Sequence, residues 1–225
     1  MKLAIHRSYR GWGMRLATLC AAAAFSFNAP ANELKFEQAF NAKGEPRSVH
    51  YQATYFSGGA EHQIEVWRDG EKRLKRRTDG AVETYAFHKP EDTDFRLSVL
   101  DLKKHIHTRI DRTNLYRIGN FTDWFDLSHN LKRPSGDYQL AAVHAPENVG
   151  DAIANCQWFD LSEAGRTSHI CWSKDTRLPL LIKAENGKTV WKVTSLDRKA
   201  IPGNIFEIHD EGFVRNDANQ DIEGD

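Results

Sequence analysis

No apolar stretch in this 225-residue chain reaches the ~20 residues that a helix needs to cross a bilayer, so the sequence predicts no membrane-spanning helix. Cysteine is scarce, with three in all, and none forms a CxxC pair that would supply an activated thiol. No G-x-S-x-G turn is present, and a nucleophilic triad has no sequence signature here. Basic charge is not in excess either: 31 Lys and Arg stand against 31 Asp and Glu. A nucleic-acid binder needs a net basic face, so that class receives no support.

What is present starts with the leader. Lys2, Arg7, Arg10 and Arg15 precede an apolar core from Leu16 to Phe27, followed by Ala29-Pro30-Ala31. This order reads as a secretory signal peptide over residues 1–31, giving a mature, soluble, exported protein that begins at Asn32. Cys20 follows Leu19, where a lipoprotein signal wants a small residue, so a lipid anchor is not expected. Removing the leader leaves 27 basic against 31 acidic side chains, a mildly acidic balance. Residues 32–214 suit one domain, with an acidic tail over 215–225.

After cleavage only Cys156 and Cys171 remain, and in an oxidising compartment they are expected to form a structural disulfide. A hairpin centred between Glu163 and Ala164 would set them directly opposite. Asp69-Gly70, Asp79-Gly80 and Asn186-Gly187 tolerate positive φ and mark three further hairpins. As two-residue turns, the first two align Trp67 with Lys72 and Phe87, align Glu65 with Leu74 and Tyr85, and pair Arg76 with Glu83. The third turn opposes Ile182 to Trp191 and Leu180 to Val193, giving one apolar face. The basic run from Glu71 to Arg77 reads as a solvated, aggregation-resistant strand or as a docking surface for an anionic lipid head group or acidic partner.

Further strands are expected at Ser48 to Phe56, Phe95 to Leu102, His105 to Asp111, Asp137 to His144 and Phe206 to Val214, making about ten in all. Between them Leu115, Ile118, Phe121, Phe125, Leu127 and Leu131 recur near helical spacing, which predicts two short helices, the second capped at Thr122. The fold class is therefore mainly β with a helical insertion: a strongly curved antiparallel sheet, unclosed as a barrel, with the helices on its concave face.

The leader, the segment VWRDGEKRLKRRTDGAVETYAF, the hairpin LPLLIKAENGKTVWKVTSLD and the ending IPGNIFEIHDEGF together resemble the Lol-type periplasmic lipoprotein-carrier superfamily of Gram-negative bacteria. The paired cysteines, the long insertion and the acidic tail depart from that pattern. The resemblance implies a periplasmic location, an unclosed β-barrel and an apolar cavity for acyl chains. On the alternation of the strands and the apolar stripe of the inserted helices, Trp67, Tyr85, Phe87, Trp124, Phe125 and Trp191 are expected to line that concave face.

Other candidate groups carry plainer readings. His105 and His107 share a strand face and are either surface histidines or two ligands of an incomplete metal site. Asp126 and His129 stand three apart on the presumed helix, at the spacing of a local hydrogen bond or of half a metal site, the former being the simpler reading. Glu91, Asp92 and Asp94 fall in a polar turn after Lys89-Pro90. Asp217, Asn219 and Asp221 match the opening of a calcium loop but lack its glycine and closing glutamate, so a solvated tail is the simpler reading. No cofactor is expected. The sequence thus predicts a non-enzymatic binder of an apolar, acyl or lipid-modified ligand. A protein-interaction or assembly factor with a membrane-associated partner comes second, and an enzyme of lipid or pigment metabolism third.

Overall fold

Alternation of side chains, punctuated by glycine turns, is what the chain uses to build nearly everything. The computed structural model describes residues 34–89, 91, 95–111, 123–146 and 155–218. The predicted leader, the insertion residues Leu115, Ile118, Phe121 and Thr122, the acids Asp92 and Asp94, and the tail positions Asn219 and Asp221 lie outside the described residues.

Twelve strands are described: β1 (Ser48–Ser57), β2 (Ala60–Asp69), β3 (Arg73–Thr78), β4 (Val82–His88), β5 (Phe95–Asp101), β6 (Ile106–Asp111), β7 (Tyr138–Val143), β8 (Gln157–Glu163), β9 (Arg166–Ser173), β10 (Leu178–Ala184), β11 (Thr189–Asp197) and β12 (Val214–Asp217). They join one curved sheet in the order β12-β6-β5-β4-β3-β2-β1-β11-β10-β9-β8-β7, not closed into a barrel. Each neighbouring pair is antiparallel except β12 with β6. Two short helices, α1 (Phe36–Ala39) and α2 (Trp124–His129), sit on the concave face. The cap of α2 is Asp123, whose carboxylate accepts from Asp126 N, one residue beyond the expected Thr122.

The concave core has two connected parts. Val49, Tyr51, Ala53, Ile64, Val66, Leu74, Ala86, Leu97 and Trp191 pack around Leu127 of α2. Phe36 and Phe40 bring α1 against Leu140, Phe159, Leu161, Ile170 and Trp172. Edge-on ring contacts of Phe40 with Phe159 at 4.9 Å and with Trp172 at 5.2 Å seat α1 there.

Three registers differ from the two-residue turns expected. Asp69 lies opposite Arg73 and binds its Nε and Nη2 at 2.9 Å, so Gly70 to Lys72 form a three-residue loop. Asp79 accepts from Gln63 N at 2.8 Å, and the next loop runs from Asp79 to Ala81. Trp67 therefore aligns with Lys75, Tyr85 and Ser98, while Leu74 aligns with Arg68 and Ala86. An odd slip exchanges the two faces of a strand, which is why Leu74 joins the core rather than the row of Glu65. Glu83 faces Arg77, not Arg76. Around Asn186, Ile182 does face Trp191, but the register then slips and Gly187 takes φ +80° in a three-residue loop.

The basic run is also relocated. β3 lies inside the sheet between β2 and β4, so it is no solvated edge. Lys75 is buried on the convex face and Arg76 points to the concave one. The segment from Phe206 to Val214 is not a strand. A 3-10 turn (Gly203–Phe206) and an extended strap lead to β12, which takes Arg215 to Asp217 of the expected tail into the sheet.

The disulfide forms with a Cα separation of 5.4 Å. Its geometry is diagonal: Ala164 and Gly165 both take positive φ, the hairpin centres between them, and Cys171 faces Trp158 instead of Cys156. The bond closes a loop with a sequence separation of 15. Replacing both cysteines by serine is expected to lower unfolding free energy by about 2–4 kcal/mol, read by denaturant titration. Labelling of both thiols in the native protein without reductant would contradict the bond.

Candidate functional site

The concave face is closed by charge as well as by hydrocarbon. Ile64, Val66 and Arg68 share one phase of β2, so the third member of an apolar row is a guanidinium with no exposed surface. Arg68 Nη1 donates to Ser128 O at 3.2 Å and Nη2 to Thr176 O at 3.0 Å. Nη2 also lies 3.3 Å from Glu45 Oε2, carried by the loop between α1 and β1. His129, at the end of α2, approaches the same carboxylate oxygen with Nε2 at 3.0 Å. One arginine thus ties together β2, α2, the β9–β10 turn and the N-terminal loop.

Protonation states follow from these contacts. Burial holds the His129 imidazole below its ordinary pKa; its Nε2 faces Glu45, and its Nδ1 lies 3.0 Å from Phe125 O and 2.8 Å from the Ser128 hydroxyl. Burial opposes ionisation of Glu45, but His129 and Arg68 outweigh it and hold the carboxyl below its usual range. Beside this knot the Tyr51 phenol is pushed up to about 12 by burial and accepts from the Asn130 amide. Arg76 Nη1 reaches Asn130 Oδ1 at 3.5 Å.

The convex face carries a second polar arrangement. Lys75 Nζ sits 5.6 Å from the Trp67 ring centre and 5.0 Å from that of Tyr85, and 3.2 Å from Glu83 Oε1. The Tyr85 hydroxyl donates to Glu83 Oε2 at 2.6 Å, and burial together with that carboxylate raises its pKa. On the same face, farther along, His107 Nδ1 meets Asp210 Oδ2 at 2.7 Å.

The six expected cavity aromatics divide between the faces. Trp67, Tyr85 and Phe87 still share a face, but it is the convex one: the longer loops turn Leu74 of β3 over to join Ile64, Val66 and Ala86, and that row makes the core. Trp124, Phe125 and Trp191 are concave and engaged by the protein itself. Trp124 stacks on His88 at 4.7 Å, and Phe125 on His129 at 4.2 Å. The Trp191 indole donates to Pro179 O at 2.7 Å.

His105 and His107 diverge. His105 takes φ +53° before β6 and stacks on Phe213, whereas His107 turns inward to Asp210. Asp126 and His129 do not bond each other: Asp126 accepts from Arg133 N at 3.1 Å, and burial with Asp123 nearby pushes its carboxyl up to about 6. Asp217 pairs with Arg109 in β12, and Glu91 is exposed in its turn. Among the described residues no group of three His, Cys, Asp or Glu side chains is placed to hold a metal ion. Sequence reasoning missed Glu45, Arg68 and Asp210. Arg68 alone left a signal, as a charge in the buried phase of β2.

No protein-family model matches the sequence, and comparison with curated proteins finds no match. Among solved structures, the crystal structure of MucB aligns at 13% identity and a TM-score of 0.38, over 75% of this chain and 59% of that one. MucB in complex with MucA(peri) aligns at 14% identity and a TM-score of 0.37, over 77% of this chain and 57% of that one. The chain therefore spans less than three fifths of these structures' length. A likeness at this level assigns neither family nor function.

Removing Arg68 strands Glu45 and two carbonyls, so Arg68→Ala is expected to cost about 3–5 kcal/mol in denaturant unfolding. The pH dependence has a definite sign. His129 is held below its ordinary pKa in the fold, so between that value and about 6.5 the unfolded chain binds the extra proton and stability falls on acidification. His129→Gln, whose amide can still donate to Glu45, should flatten the loss of melting temperature between pH 7 and pH 5. An unchanged slope would assign the acid sensitivity elsewhere.

Proposed function

We propose that this chain is an exported, periplasmic, non-enzymatic factor that binds a protein partner through its outer surfaces. The observation that carries this reading is the concave face filled by the protein's own side chains. Phe36, Phe40, Leu127, Phe159 and Trp172 occupy the position where a carrier would admit an acyl chain. Behind them lies the Arg68–Glu45–His129 knot. A hydrocarbon entering there would have to separate paired charges in a low-dielectric interior, and breaking one buried pair costs about 3–5 kcal/mol. Burial of methylenes at about 0.8 kcal/mol each would first have to offset that loss.

The open hollows point the same way. A groove of about 690 Å³ is lined by Glu45, Arg47, Asp69, Glu71, Lys72 and Arg73 among others, and one of about 560 Å³ by Glu163, Arg166 and Glu185 among others. Such mixed charge suits polar protein contact better than an acyl tail. The disulfide supports an oxidising compartment and the leader an export route. The resemblance to the lipoprotein carriers then bears on the scaffold, with the cavity given over to packing.

Two measurements test this. Fluorescent long-chain fatty acids and lipid-modified peptides should fail to bind the mature protein at tens of micromolar. A photo-cross-linking residue at Val214, which is 68% exposed on β12, should give one discrete protein adduct in the native envelope. Chain-length-dependent acyl binding would overturn the proposal in favour of a lipid carrier.

A further inference from the structure

The C-terminal strap occupies the convex face in the manner of a bound peptide. From Gly203 onward its backbone hydrogen bonds are local turns, Ile205 to Pro202, Glu207 to Asn204 and Phe213 to Asp210, until β12 begins. It is fastened by side chains. Phe206 is buried, with the Arg73 guanidinium 4.5 Å from its ring centre. Asp210 places Oδ2 2.7 Å from His107 Nδ1 and 2.9 Å from Arg215 Nε, and Oδ1 3.2 Å from Arg215 Nη2. Phe213 stacks on His105 at 5.1 Å, and Val214 N donates to His105 O at 2.8 Å.

Arg73 is on β3 and His107 on β6, so the strap crosses β4 and β5 on this face. Between these anchors Tyr85, Ser98 and Leu100 on the convex side of β4 and β5 are buried. The last fastening is slight. β12 has four residues, Val214, Arg215 and Asn216 are exposed, and its pairing is parallel, the weaker kind per residue. Removed, it would leave the edge of β6 open for strand addition.

We propose that this strip and the β6 edge form a peptide-docking surface, which the strap fills in the resting protein and a partner engages by displacing it. The partner segment is extended and carries an aromatic residue for Arg73, a carboxylate four positions later for His107, a second aromatic three positions further for His105, and then a strand parallel to β6. This rests on the protein-binding reading above and names the surface and the chemistry of the partner. Asp210 is held near pKa 2 by Arg215 and His107, so it stays ionised at any envelope pH and can act as the constant anchor of the pattern.

A fluorescent peptide of residues 203–218, added in trans to the mature chain, tests the proposal without the natural partner. An intramolecular strap competes at high effective concentration, so the wild-type chain should bind the peptide weakly. Asp210→Ala in the chain loosens its own strap and should tighten peptide binding at least about tenfold, because the open fraction scales the apparent affinity. Phe213→Ser, which removes only the ring on His105, should act in the same direction and stands in if the first variant folds poorly. A chain locked by Thr108→Cys and Asn216→Cys, which are paired residues, should not bind. The peptide carrying Asp210→Asn should bind at least about tenfold more weakly than the natural one. Equal binding to locked and unlocked chains, or no binding to either loosened variant, overturns the docking surface. The wider reading as a protein-binding factor would then still be decided by the acyl probes and the Val214 cross-link.

Discussion

Arg68 is the residue on which the concave half of the molecule depends. A guanidinium without solvent must find acceptors on the side it faces, and here they come from parts of the chain far apart in sequence. Glu45 supplies the charge, while the carbonyls of Ser128 and Thr176 accept one hydrogen bond each from Nη1 and Nη2 within 3.2 Å. The consequence is positional: α2 and the loop before β1 are pinned to β2, and the helices act as a fixed filling. A plug meant to swing aside for a ligand would be built from apolar contacts alone, which can part without leaving a bare charge.

The convex face obeys the same rule with a different outcome. Lys75, Glu83 and Tyr85 satisfy one another across β3 and β4, so that part of the face is complete in itself. His107 is not complete, because its partner Asp210 arrives from a segment more than a hundred residues later in the chain. Completion of one part of the convex face is intrinsic to the sheet, and of the other part it comes from a strap held by a few side chains.

The sheet was largely legible in the sequence because strand formation needs only alternation and turn chemistry, both local. β1, β5, β6, β7 and the two hairpins of the second half fall within a residue or two of where alternation puts them. Register was less legible, since it depends on how many residues a turn contains. Asp69 lengthens its loop by binding Arg73, a contact that exists only after the strands have met. That extension turned Leu74 over to the face of Ile64, Val66 and Ala86, so the core formed there and not on the side of Trp67 and Tyr85. α1 carried no extended periodicity, as four residues are too few to show one, and it is stabilised by the rings of Phe159 and Trp172.

By itself, then, the sequence determined the β class, the curved unclosed sheet, the cysteine partnership and the absence of any signature for catalysis, because each rests on spacing along the chain. Tertiary structure decided which face each aromatic serves, whether the interior is open or filled, and what the histidines touch. Burial is the physical reason: a charge such as Arg68 or an imidazole such as His107 acquires its role from partners 60 to 108 residues away, and only the folded sheet brings them within hydrogen-bonding distance.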